Sequence, residues 1–245
     1  MATDCLFRDD SYLQSCEARV VSFTDKGGIV LDRTVFYATS GGQPGDTGWL
    51  RTASGVSIPI ATAVYTDKAK SEIAHMPAEG ANTSTLRVGD TVTAAIDWDK
   101  RYARMRMHTA LHLLSAALPY PVTGGAVGDG DGRLDFDIPV SGLDKEAVAA
   151  KLNEMIQSNA AVTSRWIDDA ELEAKPDLVK TMSVKPPKGT GKVRLIEIAG
   201  LDLQPCGGTH VRSTAEIGPV QVTGIEKKGK QNRRVRIALV EGADS

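Results

Sequence analysis

Three of the four histidines and one of the three cysteines of this 245-residue chain fall in two short segments. One is His108-Thr109-Ala110-Leu111-His112; the other is Cys206-Gly207-Gly208-Thr209-His210. Residues four apart on a helix share a face, so His108 and His112 can grip a single ion. Cys206 and His210 add a second pair at the same spacing. Three imidazoles and a thiolate make a donor set suited to tetrahedral zinc, and the expectation is one zinc ion held by all four. His75 stands alone ahead of Pro77 and receives no role.

Charge points to a partner. Lys100, Arg101, Arg104 and Arg106 precede the histidine pair, and Lys227, Lys228, Lys230, Arg233, Arg234 and Arg236 cluster further on. The net charge of −2 argues against a generally basic nucleic-acid binder. Two local basic clusters on such a chain still suit a phosphate-binding surface, with Arg101, Arg104, Lys227, Lys228, Arg233 and Arg234 as candidate contacts.

The elements that must position these residues change character near Asp97. From Glu17 to Ile96 short apolar runs alternate with turn residues, as in Ala18 to Phe23, the turn Asp25-Lys26-Gly27-Gly28, then Ile29-Val30-Leu31. That pattern is of hairpins, and it predicts a small β-barrel over residues 1–96. Ser40-Gly41-Gly42-Gln43-Pro44-Gly45 reads as bent surface backbone, since no helix follows it. Asp97 then caps a predicted helix from Trp98 to Leu118, with Met107, Ala110, Leu111, Leu114 and Leu118 at helical spacing and Pro119 and Pro121 ending it.

Beyond it, a Gly-rich passage from Thr123 to Gly132 reads as a backbone wall a substrate could approach. A strand from Arg133 to Ile138 follows. Ser141-Gly142-Leu143-Asp144 resembles a capping box and opens a helix through Asn159. Val162 to Ile167 and Val193 to Ile198 are predicted strands, separated by a short helix from Asp168 to Lys175. Lys185 to Lys192 reads as a mobile loop. Helices and strands do not alternate strictly. The expected fold class is therefore α+β, with a two-layer α/β sandwich over residues 97–245 behind the barrel.

A hydrophobic content of 41% and a charged content of 24% are those of an ordinary globular protein. An odd number of cysteines and no leader-like start at Met1-Ala2-Thr3-Asp4 predict a reducing, cytoplasmic setting, with Cys5 and Cys16 as free thiols. No apolar run nears the roughly 20 residues needed to span a bilayer.

Taken together these segments resemble the free-standing alanyl-tRNA editing proteins of the AlaX type, relatives of the editing domain of alanyl-tRNA synthetase. The resemblance rests on Phe36-Tyr37 with Gly41-Gly42-Gln43-Pro44, Asp46 and Gly48; on Met105-Arg106 with His108 to Leu114; on Leu134-Asp135-Phe136-Asp137; and on Cys206 to Val211 with Thr214, Glu216, Ile217 and Gly218. It implies zinc at His108, His112, Cys206 and His210. It also implies hydrolysis, in trans, of the ester joining serine, or glycine, to the tRNA for alanine. One departure stands out: the synthetase's editing domain has a Gln shortly after the metal helix, where this chain has Thr123-Gly124-Gly125.

With three histidines assigned to metal no Ser-His-Asp set remains, which argues against a covalent acyl-enzyme. The backbone of Gly124 to Gly128 is a candidate oxyanion donor. Serine exceeds alanine by one hydroxyl, so selectivity needs a buried hydrogen-bonding partner. Thr34 is the first candidate and Thr109 the second. A closed set of four protein ligands is also what a structural zinc has. The rival readings are thus a non-catalytic RNA-binding module, weakened by an aromatic content of 5%, and a hydrolase of some other ester.

Overall fold

The computed structural model describes residues 2–139, 142–175, 178–179, 191–229 and 231–240. Ser141, Lys230 and most of the 185–192 stretch lie outside the described residues. The chain divides into two compact units, residues 1–102 and 103–245.

The first unit contains β1 (Asp4–Cys5), β2 (Ser15–Phe23), β3 (Ile29–Leu31), β4 (Arg33–Thr34), β5 (Gly48–Thr52), β6 (Ser57–Tyr65), β7 (Ile73–Pro77) and β8 (Thr91–Ile96). Six of them close a barrel in the order β2-β3-β7-β6-β5-β8, while β1 pairs in parallel with β4. Alternation explains the closure. Along β8 the threonines Thr91 and Thr93 face out and Val92, Ala94 and Ile96 face in, as a half-buried strand requires. The interior is filled by Ile29, Leu31, Phe36, Leu50, Ile58 and Ile73, each fully buried.

The Gly-rich stretch after Tyr37 is bent surface backbone only at its tip, where Gly41 and Gly42 are exposed; the rest is packed inward. Gln43 and Asp46 are buried, and Gly41 and Gly42 take the positive φ values of 58° and 86° that glycine tolerates at no steric cost. Gly45 lies so close to β6 that an added Cβ would sit 2.2 Å from the Ala63 carbonyl oxygen. This backbone is packed onto the barrel wall.

Helix α1 (Trp98–Ala117) contains the division between the units. Asp97 caps it weakly, accepting from Lys100 N at 3.4 Å. Met105, Met107, Ala110, Leu111, Leu113, Leu114 and Ala117 are all buried, and so are His108, Thr109, His112 and Ser115. A helix buried on so much of its circumference is an interior element rather than a surface one.

The remaining elements are β9 (Val122–Val127), β10 (Asp131–Asp137), α2 (Lys145–Gln157), β11 (Val162–Asp168), α3 (Asp169–Ala174), β12 (Lys192–Ile198), β13 (Asp202–Pro205), β14 (Val220–Lys227) and β15 (Asn232–Leu239). They form a four-stranded sheet, β14-β15-β10-β9, and a three-stranded sheet, β11-β12-β13. Most of the Gly-rich passage is edge strand β9, one half of a hairpin, in which Gly124 pairs with Asp135 and Gly125 with Leu134.

Helix α2 begins one turn later than the capping-box pattern suggests, with Asp144 as the cap accepting from Ala147 N. Its Val148, Leu152 and Ile156 are buried. Asn153 ties it to β14 by a reciprocal pair of hydrogen bonds with Val220, at 2.8 and 2.9 Å. Short helix α3 packs with Ile167, Val193, Leu195 and Leu203 in a separate small core. Barrel and mixed sheets with helices make this an α+β fold.

Candidate metal centre

Helix α1 presents His108 and His112 one turn apart, their ring centroids separated by 5.2 Å. The other two donors come from the loop that leaves β13. This loop is fixed from behind: Cys206 N donates to Arg194 O at 3.0 Å, and the Arg194 guanidinium donates to Gly208 O at 2.8 Å. The turn this forces through Gly207 and Gly208 brings His210 back beside Cys206, with Nε2 3.3 Å from Sγ. His108 Nε2 lies 3.6 Å from the same sulfur. All four donor atoms fall within 4.8 Å of one another, so the cluster can hold a metal ion. Zinc bonds of about 2.0–2.3 Å at tetrahedral angles separate ligand atoms by about 3.5 Å, and the two measured contacts match that edge.

A second layer sets which ring nitrogen faces the centre. Thr109 spends its hydroxyl proton on Met105 O at 2.8 Å, so at 3.1 Å from His210 Nδ1 it can only accept. His210 therefore carries its proton on Nδ1 and turns a bare Nε2 toward Cys206. On the other side, His112 Nδ1 lies 3.1 Å from the Asp202 carboxylate. Gln204 Nε2 donates to the same carboxylate oxygen at 2.7 Å and to Ser115 Oγ at 3.2 Å. Its 3.1 Å approach to His112 Nδ1 is two donors converging on one acceptor. This is the carboxylate–histidine arrangement that orients metal ligands. Nothing in the spacing of Asp202 and Gln204 reveals it, because they sit on β13, an element the sequence pattern leaves unassigned.

The electrostatics follow from closeness. Burial opposes ionisation of Cys206, yet the neighbouring His108 and His210 hold its thiol well below the usual range. Burial and the charge on His108 push His210 down to about 3. His112 goes the other way, to about 9, because its bonds to Asp202 and Cys206 outweigh burial. The protein thus keeps a thiolate ready, which is the form that binds metal. Cys206 is partly exposed and Gly207 exposed, whereas His108, His112 and His210 are buried, so the cluster opens on its cysteine side.

Other expected site residues fall elsewhere. Thr109 is fully buried, with its hydroxyl committed to Met105 O and to His210, which it positions. Thr34 belongs to the barrel unit, where its hydroxyl lies 2.7 Å from His75 Nε2 and accepts from Phe36 N at 3.0 Å. His75 Nδ1 faces Ile29 O at 2.9 Å, and burial holds the ring neutral, its pKa down to about 4. The histidine that received no role from the sequence is the partner of Thr34.

The basic candidates need correction. Arg101 is completely buried, with its guanidinium on Asp46, Ser11 O and Val35 O; it pins the Gly-rich stretch and cannot reach a phosphate. Arg104 is 6% exposed and bonded to Asp129 at 2.5 Å. Arg234 forms a two-pronged pair with Asp135, at 2.7 and 2.9 Å. Lys227 and Lys228 are exposed and Arg233 half-exposed, although Lys228 also pairs with Glu226 at 2.9 Å. As for the candidate oxyanion donors, Gly128 N is already bonded to Asp131 O at 2.7 Å.

Comparison with known proteins agrees with this geometry. Residues 193–236, which include the cysteine loop, match the family described as the threonyl and alanyl tRNA synthetase second additional domain. Residues 11–100 match the family of class II (A) tRNA synthetases. The alanyl-tRNA editing protein AlaX-M of Methanosarcina barkeri is 38% identical over 98% of this chain and all of its own length. That of Saccharolobus solfataricus is 33% identical over 95% of this chain and 97% of its own. The alanine–tRNA ligase of Pyrobaculum aerophilum is 34% identical over 91% of this chain, but only 25% of the ligase is covered. With relatives matched from end to end and the histidine and cysteine pairs drawn into one cluster, the chain belongs to the AlaX-M family of alanyl-tRNA editing proteins.

Proposed function

We propose that the protein deacylates alanine tRNA mischarged with serine, and with glycine, acting in trans with zinc bound by His108, His112, Cys206 and His210. The observation that carries this is the donor cluster itself, with two histidines turned inward by Thr109 and Asp202. As a member of the editing family the chain is an aminoacyl-tRNA hydrolase. Bound there, zinc would polarise the ester carbonyl or acidify a water molecule.

The chain's own residues do the remaining work. The partly exposed Cys206 side admits the substrate, while the buried histidines keep water from the far side. After donating to His75 and accepting from Phe36 N, Thr34 Oγ1 has one acceptor site left, and this oxygen is the proposed partner of the serine hydroxyl. Lys227, Lys228 and Arg233 are proposed to hold tRNA phosphates.

The test is direct. Seryl-, glycyl- and alanyl-tRNA for alanine are incubated with the protein, with and without chelator, and ester loss is measured. Serine should be released fastest and alanine spared, and chelator should abolish release. Unchanged ester lifetimes on all three would favour the rival supported by the closed four-ligand set, an RNA-binding module with structural zinc.

A further inference from the structure

Among the described residues of the 103–245 unit, Trp166 is the exposed large aromatic side chain, 46% accessible on edge strand β11. Tryptophan is not placed so without cost, since its rings dominate cores and interfaces. Its neighbour Ile167 shows what the other face of the strand does: it is buried in the small core with Val193 and Leu195. Trp166 points to the opposite face.

That face is the one that carries the metal centre. Trp166 stands directly across from Arg194 in the β11–β12 ladder. Arg194 in turn stands across from Cys206, whose N–H it accepts. Directly opposed residues of antiparallel strands share a face. Asp202 and Gln204, paired with Ile198 and Ile196, lie on this same face; the Asp202 carboxylate bonds to His112 and accepts from Gln204. Trp166, Arg194 and Cys206 therefore form one row across the sheet. At about 4.8 Å per strand, the Trp166 backbone is about 10 Å from that of Cys206, and the Arg194 guanidinium is tied into the metal loop through Gly208.

We infer that Trp166 is a stacking platform for the adenine at the 3′ end of the tRNA. This rests on the editing reading, because in that reaction the ester sits on the terminal ribose and the adenine is attached to the same sugar. A base one row's length from the metal donors is where such a nucleotide must put it. Base–aromatic stacking supplies affinity without needing hydrogen-bond readout, and β11, being an edge strand, leaves one flank of the indole open to a single strand.

The experiment compares the full-length protein with Trp166→Ala, Trp166→Leu and Trp166→Phe. The first probe is a fluorescein-labelled acceptor-stem hairpin ending in CCA, against the same hairpin ending in CC, with binding read by anisotropy. The wild type should prefer the CCA form by about 10-fold, the low end of what stacking one base supplies. Alanine and leucine should erase that preference, and phenylalanine should keep most of it. Leucine retains bulk without a π-face, so it separates stacking from loss of folding.

On seryl-tRNA, Trp166→Leu should raise KM about 10-fold while kcat and zinc content change less than two-fold. Equal preference for the CCA hairpin in wild type and Trp166→Leu would overturn the inference. Absence of seryl-tRNA hydrolysis by the wild type would instead overturn the editing reading and leave the binding comparison standing.

Discussion

Thr34 and His75 form a closed hydroxyl–imidazole pair inside the barrel, 2.7 Å apart and both wholly buried. Since His75 gives its Nδ1 proton to Ile29 O, its Nε2 is the acceptor and Thr34 the donor. Replacing Thr34 with valine would keep the shape yet strand a buried acceptor, His75 Nε2, and a buried donor, Phe36 N–H, at a cost of about 1–3 kcal/mol each. The expected result is a lower denaturation midpoint together with a smaller serine-to-alanine rate ratio. Thr34→Ser keeps the hydroxyl and should hold the ratio. A ratio unmoved by valine would remove Thr34 from recognition.

The same pair makes stability depend on pH. The folded His75 titrates at about 4 and the unfolded one at 6.5. Between these values the unfolded chain binds the extra proton, so stability falls as pH drops from 6.5 to 4, by about 3 kcal/mol in all, and is unaffected by this group above 6.5. Urea titrations across that window should show a shallower acid loss in His75→Gln than in wild type. Parallel curves would contradict a neutral buried histidine.

Asp202 should govern how tightly metal is held rather than whether it binds. Outer carboxylate partners of ligating histidines are worth about 10- to 100-fold in affinity. Asp202→Asn should therefore lose zinc to a competing chelator at lower concentration while remaining stoichiometric in excess zinc. His108→Ala and Cys206→Ala should fail to hold one equivalent at all. Metal analysis and chelator competition read both.

Arg101 and the exposed lysines make opposite predictions. Breaking a buried ion pair leaves an uncompensated charge and costs about 3–5 kcal/mol, so Arg101→Met should unfold far earlier. In contrast, Lys227→Ala with Lys228→Ala should leave the midpoint alone. It should flatten the salt dependence of tRNA affinity, by about 0.7–0.9 per lost phosphate contact on a log–log plot. An unchanged slope would show these lysines to be solvated bystanders.

The barrel and the four metal donors were legible because both rest on local spacing: alternation in Thr91 to Ile96, and four-residue intervals at His108 and Cys206. What stayed hidden depends on pairings distant in sequence. Arg101 looks like part of a basic run, yet its carboxylate partner, Asp46, lies 55 positions away. Glycines mask a strand in β9 because their weak strand preference is overridden by pairing with Asp131–Asp137. Asp202 and His75 carry no motif at all; each matters through a contact that only the folded chain makes.

The distance between the two halves of the metal cluster along the chain has a consequence for biogenesis. Cys206 follows His108 by 98 positions. At about 5–20 residues per second, the histidine pair leaves the ribosome roughly 5–20 s before its sulfur partner. During that interval the nascent chain offers only two imidazoles, a weak and unselective grip. The thiolate, a softer donor than imidazole, arrives last, so the full set of four donors cannot come together until the loop after β13 has been made.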